Sequence, residues 1–407
     1  MCCNYLAPLF LPRTIIADFR KLGSSGVYKS QSFHEPDTET VMLIPSERCN
    51  LRCAYCYERR KNHKRMDIQT AQTALQKAFS KLRPGKRLKI EFRGGEPFLE
   101  FDFIRHICEW VIDNFSSKDF IFYAITNGTC FTNEVKAWLK RHKEIFFVPL
   151  SIDGTRITQN RNRSNSFDLI DFDFIFETWD HPYTSTTISP QNATTIFKDL
   201  RFLIDRGFEI RANVEFRKTW SLEELGKLAR GFKKLADYAL GKHIANHVNL
   251  LSRYSFLDYD SNLNESAKEG RKHFLACNAG KHRRIVAADG RIYPCQAFVP
   301  SAFKCGLEPA NGNLFDMLES EELHPPQCCS CHFLYLCHFC PGFSYRYTGD
   351  VKWRNPSLCA ITRIRTFLAA YYWGLKLSSG QVDDALKDAK VIMAKIADLY
   401  YGEKVYE

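Results

Sequence analysis

From about residue 40 to residue 240, short runs of β-type apolar residues alternate with longer stretches of helical periodicity. Val41–Pro45 reads as a strand, and Ile68, Ala71, Leu75, Ala78, Phe79 and Leu82 then predict a helix over 67–82. Leu88–Arg93 alternates apolar and charged residues, the pattern of a half-buried strand. Phe101–Phe115 is helical, with Ile104, Ile107, Cys108, Val111 and Ile112 on one stripe. The cycle recurs through Phe120–Thr126, Glu134–His142, Ile145–Ile152, Thr184–Ser189, Thr194–Arg206 and Phe208–Phe216. About six β/α units in series imply parallel strands with helical crossovers. The predicted class is α/β, a TIM-like barrel or part of one, with its chemistry at the C-terminal ends of the strands.

Past residue 260 this periodicity stops. Cys277 to Cys359 holds nine cysteines among many turn residues, and such a segment buries too little apolar surface to hold itself together. Helical patterning returns in 360–407, with Val382, Ala385, Leu386, Ala389, Ile392, Met393 and Ile396 on one face. The predicted divisions are an N-terminal segment 1–40, a body 41–240, a linker 241–269, a cysteine-rich domain 270–360 and a helical tail 361–407. No internal repeat is visible.

Composition narrows the chemistry. The chain has 407 residues, enough for a sizeable core, and its 45% hydrophobic and 25% charged balance excludes wholesale disorder. Net charge is 57 − 46 = +11, which suits an acidic partner without specifying one. Sixteen cysteines are too sparse for a disulfide scaffold and many for an enzyme without metal. The N-terminus lacks a basic region before its apolar patch, and Pro8 and Pro12 interrupt that patch. The longest apolar run, Phe367–Leu375, is too short to span a bilayer. A reducing cytoplasm is expected, where clustered cysteines hold metal more often than they pair.

The first strand runs into Pro45-Ser46-Glu47-Arg48-Cys49-Asn50-Leu51-Arg52-Cys53-Ala54-Tyr55-Cys56-Tyr57. Three cysteines at x3 and x2 spacing hold three corners of an iron–sulfur cubane and leave one iron open, whereas structural zinc wants four ligands. The later strands end in Arg93-Gly94-Gly95-Glu96-Pro97, Thr126-Asn127-Gly128 and Ser151-Ile152-Asp153-Gly154. Paired glycines let backbone approach a ligand closely, and a carboxylate suits an ammonium.

These motifs, in this order, resemble the radical S-adenosylmethionine (radical SAM) superfamily. The resemblance implies a [4Fe-4S] cluster on Cys49, Cys53 and Cys56, with the aromatic Tyr55 before the last cysteine. It implies S-adenosylmethionine held by Gly94, Gly95, Glu96, Pro97, Asn127, Ser151 and Arg163, and cleaved to a 5′-deoxyadenosyl radical. The family's usual His-Asp pair is replaced here by Gln159-Asn160.

The second cysteine group, Cys277-x12-Gly290-x4-Cys295 followed by Cys328-x2-Cys331-x5-Cys337-x2-Cys340 and Cys359, resembles the SPASM extension of radical SAM enzymes that act on ribosomally made peptides. That resemblance implies two auxiliary [4Fe-4S] clusters, one on Cys277, Cys295 and Cys340, the other on Cys328, Cys331, Cys337 and Cys359. The total is then three clusters. Cys305, Cys329 or an open position completes the first auxiliary set. Cys108 reads as core packing, Cys130 as buried near the active site, and Cys2 and Cys3 as incidental.

The implied function is a peptide maturase that abstracts hydrogen from a precursor peptide and forms a carbon–carbon or thioether cross-link. Its implied partners are that peptide and an electron donor such as flavodoxin or ferredoxin; since 48 residues before Cys49 are too few for a winged-helix domain, leader binding is expected to fall to the catalytic body or to a separate leader-recognition protein. A second reading is an anaerobic sulfatase-maturing enzyme, whose catalytic aspartate follows the cysteine of Tyr-Pro-Cys; here Tyr293-Pro294-Cys295 is followed by Gln296. A third is a zinc protein that binds nucleic acid. The leading reading expects no nucleic-acid or membrane partner, and no residue is singled out as a catalytic acid or base.

Overall fold

The computed structural model describes residues 38–58, 64–215, 218–242, 248–251, 277, 279–299, 314–320, 323–329, 331, 334, 337 and 339–378. Cys2, Cys3, Cys305 and the predicted helix over 382–400 lie outside them.

The sheet grows from its first strand. β1 (Thr38–Ser46) pairs in parallel with β2 (Arg87–Gly94), β2 with β3 (Phe120–Ala124), and β3 with β4 (Phe146–Phe147). Their crossovers are α1 (Ile68–Lys81), α2 (Phe101–Asn114) and α3 (Asn133–His142). Asp67 sets the start of α1, its carboxylate accepting from the Thr70 amide at 2.7 Å. Thr132 caps α3 in the same way. The short α4 (Arg156–Asn162) and α5 (Phe172–Thr178) follow, then β5 (Thr186–Ile188), α6 (Ile196–Asp205), β6 (Ala212–Val214) and α7 (Leu222–Leu240). β5 and β6 pair in parallel, and single parallel bridges at Thr126–Leu150, Leu150–Thr184, Tyr183–Glu209 and Ile210–Val248 continue the pairing past β4.

The expected strand over 145–152 is therefore short. Pro149 has no N–H to give the ladder, so regular pairing stops at Phe147 and resumes only as isolated bridges from Leu150 to Thr126 and to Thr184. The expected strand over 208–216 is likewise reduced to Ala212–Val214 plus two bridges.

Beyond the predicted linker the chain returns to the same sheet. β7 (Arg283–Val286) lies parallel to β1, with Thr40 beside Arg283, and turns into the antiparallel β8 (Ile292–Tyr293). The six-stranded order is β4-β3-β2-β1-β7-β8. Short helices α8 (Leu314–Ser320), α9 (Pro326–Cys329) and α10 (Pro341–Thr348) carry the cysteine-rich segment, and α11 (Pro356–Ser378) closes the described chain. α11 packs on α7, where Lys233 donates to Tyr371 Oη at 3.0 Å and Tyr371 donates to Asp237 at 2.6 Å. Among the described residues no helix is long and apolar enough to cross a membrane.

Two apolar cores result. The larger fills the space between the sheet and its helices, and includes Leu43, Ile90, Phe92, Phe122 and the fully buried Cys108. A smaller one joins Met42, Ile44 and Ile285 to Phe298, Phe339 and Tyr345 of the cysteine-rich segment. β1 thus feeds both: Leu43 faces the helices, and Met42 and Ile44 face the other way. On that second face β2 presents Lys89, Glu91 and Arg93 to a cavity.

Candidate functional site

The loop after β1 is held by its neighbours' backbones. The Glu96 amide donates to the Arg48 carbonyl at 2.8 Å, Ala54 N to Asn162 O at 2.8 Å, and Arg52 N to Ser164 Oγ at 2.9 Å. Asn50 reaches the third strand's end, accepting from Asn127 Nδ2 at 2.9 Å and donating to Thr129 Oγ1 at 2.7 Å. So fixed, Cys49, Cys53 and Cys56 stand together as half-buried free thiols. Burial pushes the Cys53 thiol up to about 11, with Arg163 opposing that shift and Cys56 and Cys49 adding to it.

The glycines at the end of β2 are there for closeness. Gly94 has φ +128°, and a Cβ on Gly95 would lie 2.1 Å from the Arg48 carbonyl oxygen. No side chain fits at either. Glu96 follows, fully buried, and accepts from Thr126 Oγ1 at 2.6 Å, Asn127 N at 2.7 Å and Phe98 N at 3.2 Å. Burial raises its carboxyl to about 7 against those three hydrogen bonds. Pro97 begins the turn that leads into α2. Asn127 and Ser151 line the cavity beside it, and the Ser151 amide is tied to Thr126 O at 2.7 Å.

Arg163 lines the cavity too, but its charge is met from behind. Its Nη2 donates to Asp153 Oδ1 at 3.0 Å, and its guanidinium lies over the Tyr55 ring, 5.2 Å from the centroid. Asp153, completely buried, also accepts from Tyr55 Oη at 2.5 Å, Asn162 Nδ2 at 3.1 Å and Thr187 N at 3.1 Å. It is the hub that fixes the cysteine loop to the fourth strand end, and sequence reasoning gave it no role. The available signal was an aspartate ending an apolar run before Gly154, where φ is +143°. Gln159 and Asn160 act locally: Gln159 accepts from the Asp153 amide at 2.9 Å, and Asn160 accepts from Phe167 N at 2.9 Å.

The second cysteine group separates into two neighbourhoods. Burial raises the Cys277, Cys295 and Cys340 thiols; Cys277 adds to the rise at Cys295, and both add to it at Cys340. Cys337 is raised to about 11, again by burial first, with Cys359 as its cysteine neighbour, while Cys328 neighbours Cys331 and Cys329. Arg354 braces this second neighbourhood, donating to Leu323 O at 2.7 Å and Lys352 O at 2.9 Å with its guanidinium 3.6 Å from the Phe339 centroid. Cys130 is half-buried beside Glu96, its thiol pushed up to about 11 by burial. Among the described residues all cysteines are free, and no three His, Cys, Asp or Glu side chains are set to hold a single metal ion.

One cavity of about 750 Å³ joins these parts. Cys49, Cys53 and Cys56 line it together with Gly94, Gly95, Glu96 and, from the second group, Cys277 and Cys340. Three thiols on one loop, a glycine wall that a Cβ would fill and a buried carboxylate make a donor set that fits an iron–sulfur cluster with a small zwitterionic ligand.

Comparison with known proteins agrees. A family described as a 4Fe-4S single cluster domain matches residues 40–170. An uncharacterised protein of Methanocaldococcus jannaschii is 32% identical over 174 residues, 41% of this chain and 59% of that one. The chain thus spans under two thirds of that relative. A cysteine-type anaerobic sulfatase-maturating enzyme of Clostridium novyi is 25% identical over 335 residues, 73% of this chain and 86% of the enzyme. The subtilosin biosynthesis protein AlbA of Bacillus subtilis is 24% identical over 297 residues, 68% of this chain and 58% of AlbA. The fold matches anSMEcpe with bound AdoMet and Cp18Cys peptide, at TM-score 0.62 and 18% identity over 85% of this chain and 100% of that one. It also matches Streptococcus suis SuiB bound to precursor peptide SuiA, at TM-score 0.52 and 16% identity over 85% of this chain and 79% of that one.

The cysteine triad and the strand-end residues lie within the stretch that is similar to a 4Fe-4S single cluster domain, and most of the chain is similar to maturases of sulfatases and peptides.

Proposed function

We propose that this protein is a radical SAM/SPASM peptide maturase. The observation that carries the reading is the single cavity onto which Cys49, Cys53 and Cys56 open together with Cys277 and Cys340. In this reading the parallel strands form a partial barrel, and the cysteine-rich segment is the SPASM domain. Cys49, Cys53 and Cys56 hold the cluster that binds S-adenosylmethionine. Cys277, Cys295 and Cys340 hold one auxiliary cluster, and Cys328, Cys331, Cys337 and Cys359 hold the other, three in all; the grouping of neighbours among the described thiols supports that division. When bound, the cluster and its cosubstrate supply an electron and a carbon radical able to take hydrogen from an unactivated carbon.

The chain's own residues do the rest. Gly94 and Gly95 clear room for the cosubstrate's amino acid end, and the Glu96 carboxylate faces its ammonium. Asn127, Ser151 and Arg163 orient the remainder, with Asp153 keeping Arg163 and Tyr55 in place. The cavity admits a peptide and keeps bulk water from the reacting carbon. The substrate is a precursor peptide, as SuiA is for SuiB, and the product is an internal carbon–carbon or thioether cross-link. An electron donor of flavodoxin or ferredoxin type completes the system.

A second reading, formylglycine formation in a sulfatase, is favoured by the similarity to the Clostridium novyi enzyme. The residue after Cys295 separates the two. Gln296 lines the cavity with its Oε1 buried and without a hydrogen-bond partner. A carboxamide accepts a hydrogen bond and does not act as a base at neutral pH.

The test is anaerobic purification with iron and sulfide analysis, then incubation with reductant and S-adenosylmethionine. 5′-Deoxyadenosine is expected from the wild type and none from Cys49→Ala. Its persistence in that variant sinks the radical reading. A co-expressed peptide that loses two hydrogens by mass supports the cross-link, and conversion of a sulfatase cysteine supports the second reading.

A further inference from the structure

The loop that carries the cysteine triad has an inner and an outer side. Cys53 lines the cavity, while Arg52 and Ala54 on either side of it are exposed. One pass of backbone therefore lies between the thiols and solvent. The outer side is shared with the end of α4, since Ala54 N donates to Asn162 O at 2.8 Å and Arg52 N to Ser164 Oγ at 2.9 Å. Ser164 and Asn165 then turn the chain in the left-handed region, at φ +56° and +55°, and Asn165 N closes the turn on Asn160 O at 3.0 Å.

This outer surface holds apolar side chains in the open. Ile157 on α4 is 71% exposed, and Leu169, at the end of the 3₁₀ turn Phe167–Leu169, is 60% exposed. Their chain neighbours Arg156 and Asp168 pair at 2.6 Å, which joins the two segments. One exposed apolar side chain is ordinary, but two on joined segments with a charged rim mark a contact surface. The rim is cationic. Arg161 lies one turn after Ile157 and shares its exposed face of α4, with its Nε donating to the neutral Asn162 side chain at 3.3 Å. Arg52 follows on the cysteine loop. Among these residues the one exposed carboxylate, Asp168, already answers Arg156, so the surface keeps a positive charge.

We propose that this face, formed by Arg52, Ile157, Arg161 and Leu169, docks an acidic flavodoxin. The apolar edge of the flavin rests on Ile157 and Leu169, and the carboxylates around it meet the arginines. A positive rim, an apolar centre and a wall one backbone thick favour this occupant, and redox contacts of this kind are small, weak and steered by charge. The proposal rests on the radical SAM reading and deepens it by giving the electron donor a place. One electron leaves the flavin hydroquinone, which becomes the semiquinone, and is gained by the oxidised cluster on Cys49, Cys53 and Cys56. No bond forms or breaks at the surface.

The anaerobically purified, cluster-loaded protein is titrated calorimetrically at low salt with a purified bacterial flavodoxin and, separately, with a ferredoxin. 5′-Deoxyadenosine is then measured with two electron sources: NADPH, flavodoxin reductase and limiting flavodoxin, or dithionite, which needs no docking. Ile157→Glu and Arg161→Glu should each weaken flavodoxin binding about tenfold. The flavodoxin-driven rate should fall by the same factor and the dithionite-driven rate should hold. Added salt should weaken wild-type binding. If one variant loses the visible absorbance of its clusters, the other and Leu169→Glu carry the comparison.

Binding of wild-type strength in the variants overturns the proposal, as does an equal fall in rate with both electron sources. So does a wild type that binds no flavodoxin, or that binds ferredoxin in its place. If dithionite yields no 5′-deoxyadenosine while the variants still lose flavodoxin binding, the radical reading fails and the docking face stands.

Discussion

At the scale of single residues, the site depends on buried charges that neutralise one another. Asp153 is wholly enclosed and takes four hydrogen bonds, one from the Arg163 guanidinium. Asp153→Asn keeps the shape and leaves that cation unanswered, which should cost about 3–5 kcal/mol, read as a lower urea midpoint. Glu96 behaves oppositely, since burial raises its carboxyl to about 7 from an ordinary value near 4.5. The folded protein therefore holds that proton more tightly than the unfolded chain. Its contribution to stability is present below about pH 4.5 and is lost as pH rises through about 7. The ionised form is the one that meets an ammonium. S-Adenosylmethionine affinity, followed by isothermal titration, should therefore tighten as pH rises through about 7, and Glu96→Gln should flatten that dependence.

Elements form where their own sequence and their packing agree. α7 begins with a reciprocal cap: the Glu224 amide donates to Ser221 Oγ at 3.2 Å, and the Ser221 amide donates to Glu224 Oε2 at 2.7 Å. Ser221→Ala should lower stability by about 1 kcal/mol, measured by thermal unfolding of the holoprotein. The first half of the fold was legible because each strand and helix there has one wet or charged face and one dry face. β2 and α1 fall within a residue or two of their predicted bounds for that reason. The triad and glycine pair were legible because their spacing is local.

What lay hidden depends on distant contacts. Nothing local in Arg283–Val286 says that it will join β1, and nothing in Asp153 announces the three chain segments that converge on it. The charged face of β2 looked like a solvent face. Only the closure of the strands around it turns Lys89, Glu91 and Arg93 into the lining of a cavity.

For the whole molecule, the two cores differ in what supports them. The larger is built from long helices on a sheet, and it holds α11 through Trp373, whose Nε1 donates to Leu251 O at 2.8 Å. The smaller has short helices, and Cys277, Cys295 and Cys337 pack against it, so on the proposed reading the clusters they hold would brace it. Iron removal by prolonged anaerobic chelation should therefore loosen the molecule unevenly. Hydrogen exchange is expected to speed up first in 279–299 and 339–359, with β1, β2 and β3 still protected. Uniform loss of protection across both would show that the clusters do not stabilise one core selectively.

The placement of β7 has a consequence for how the protein is made. Thr40 and its sheet partner Arg283 are 243 residues apart, so on a ribosome adding about 5–20 residues per second β1 waits roughly 10–50 s for its neighbour. Through that interval one margin of the nascent sheet offers unpaired amides and carbonyls to any passing strand. A chain stopped near residue 240 would keep that margin permanently. Aggregation of such truncated chains, and their rescue by a chaperone that shields strand margins, is the outcome this topology implies.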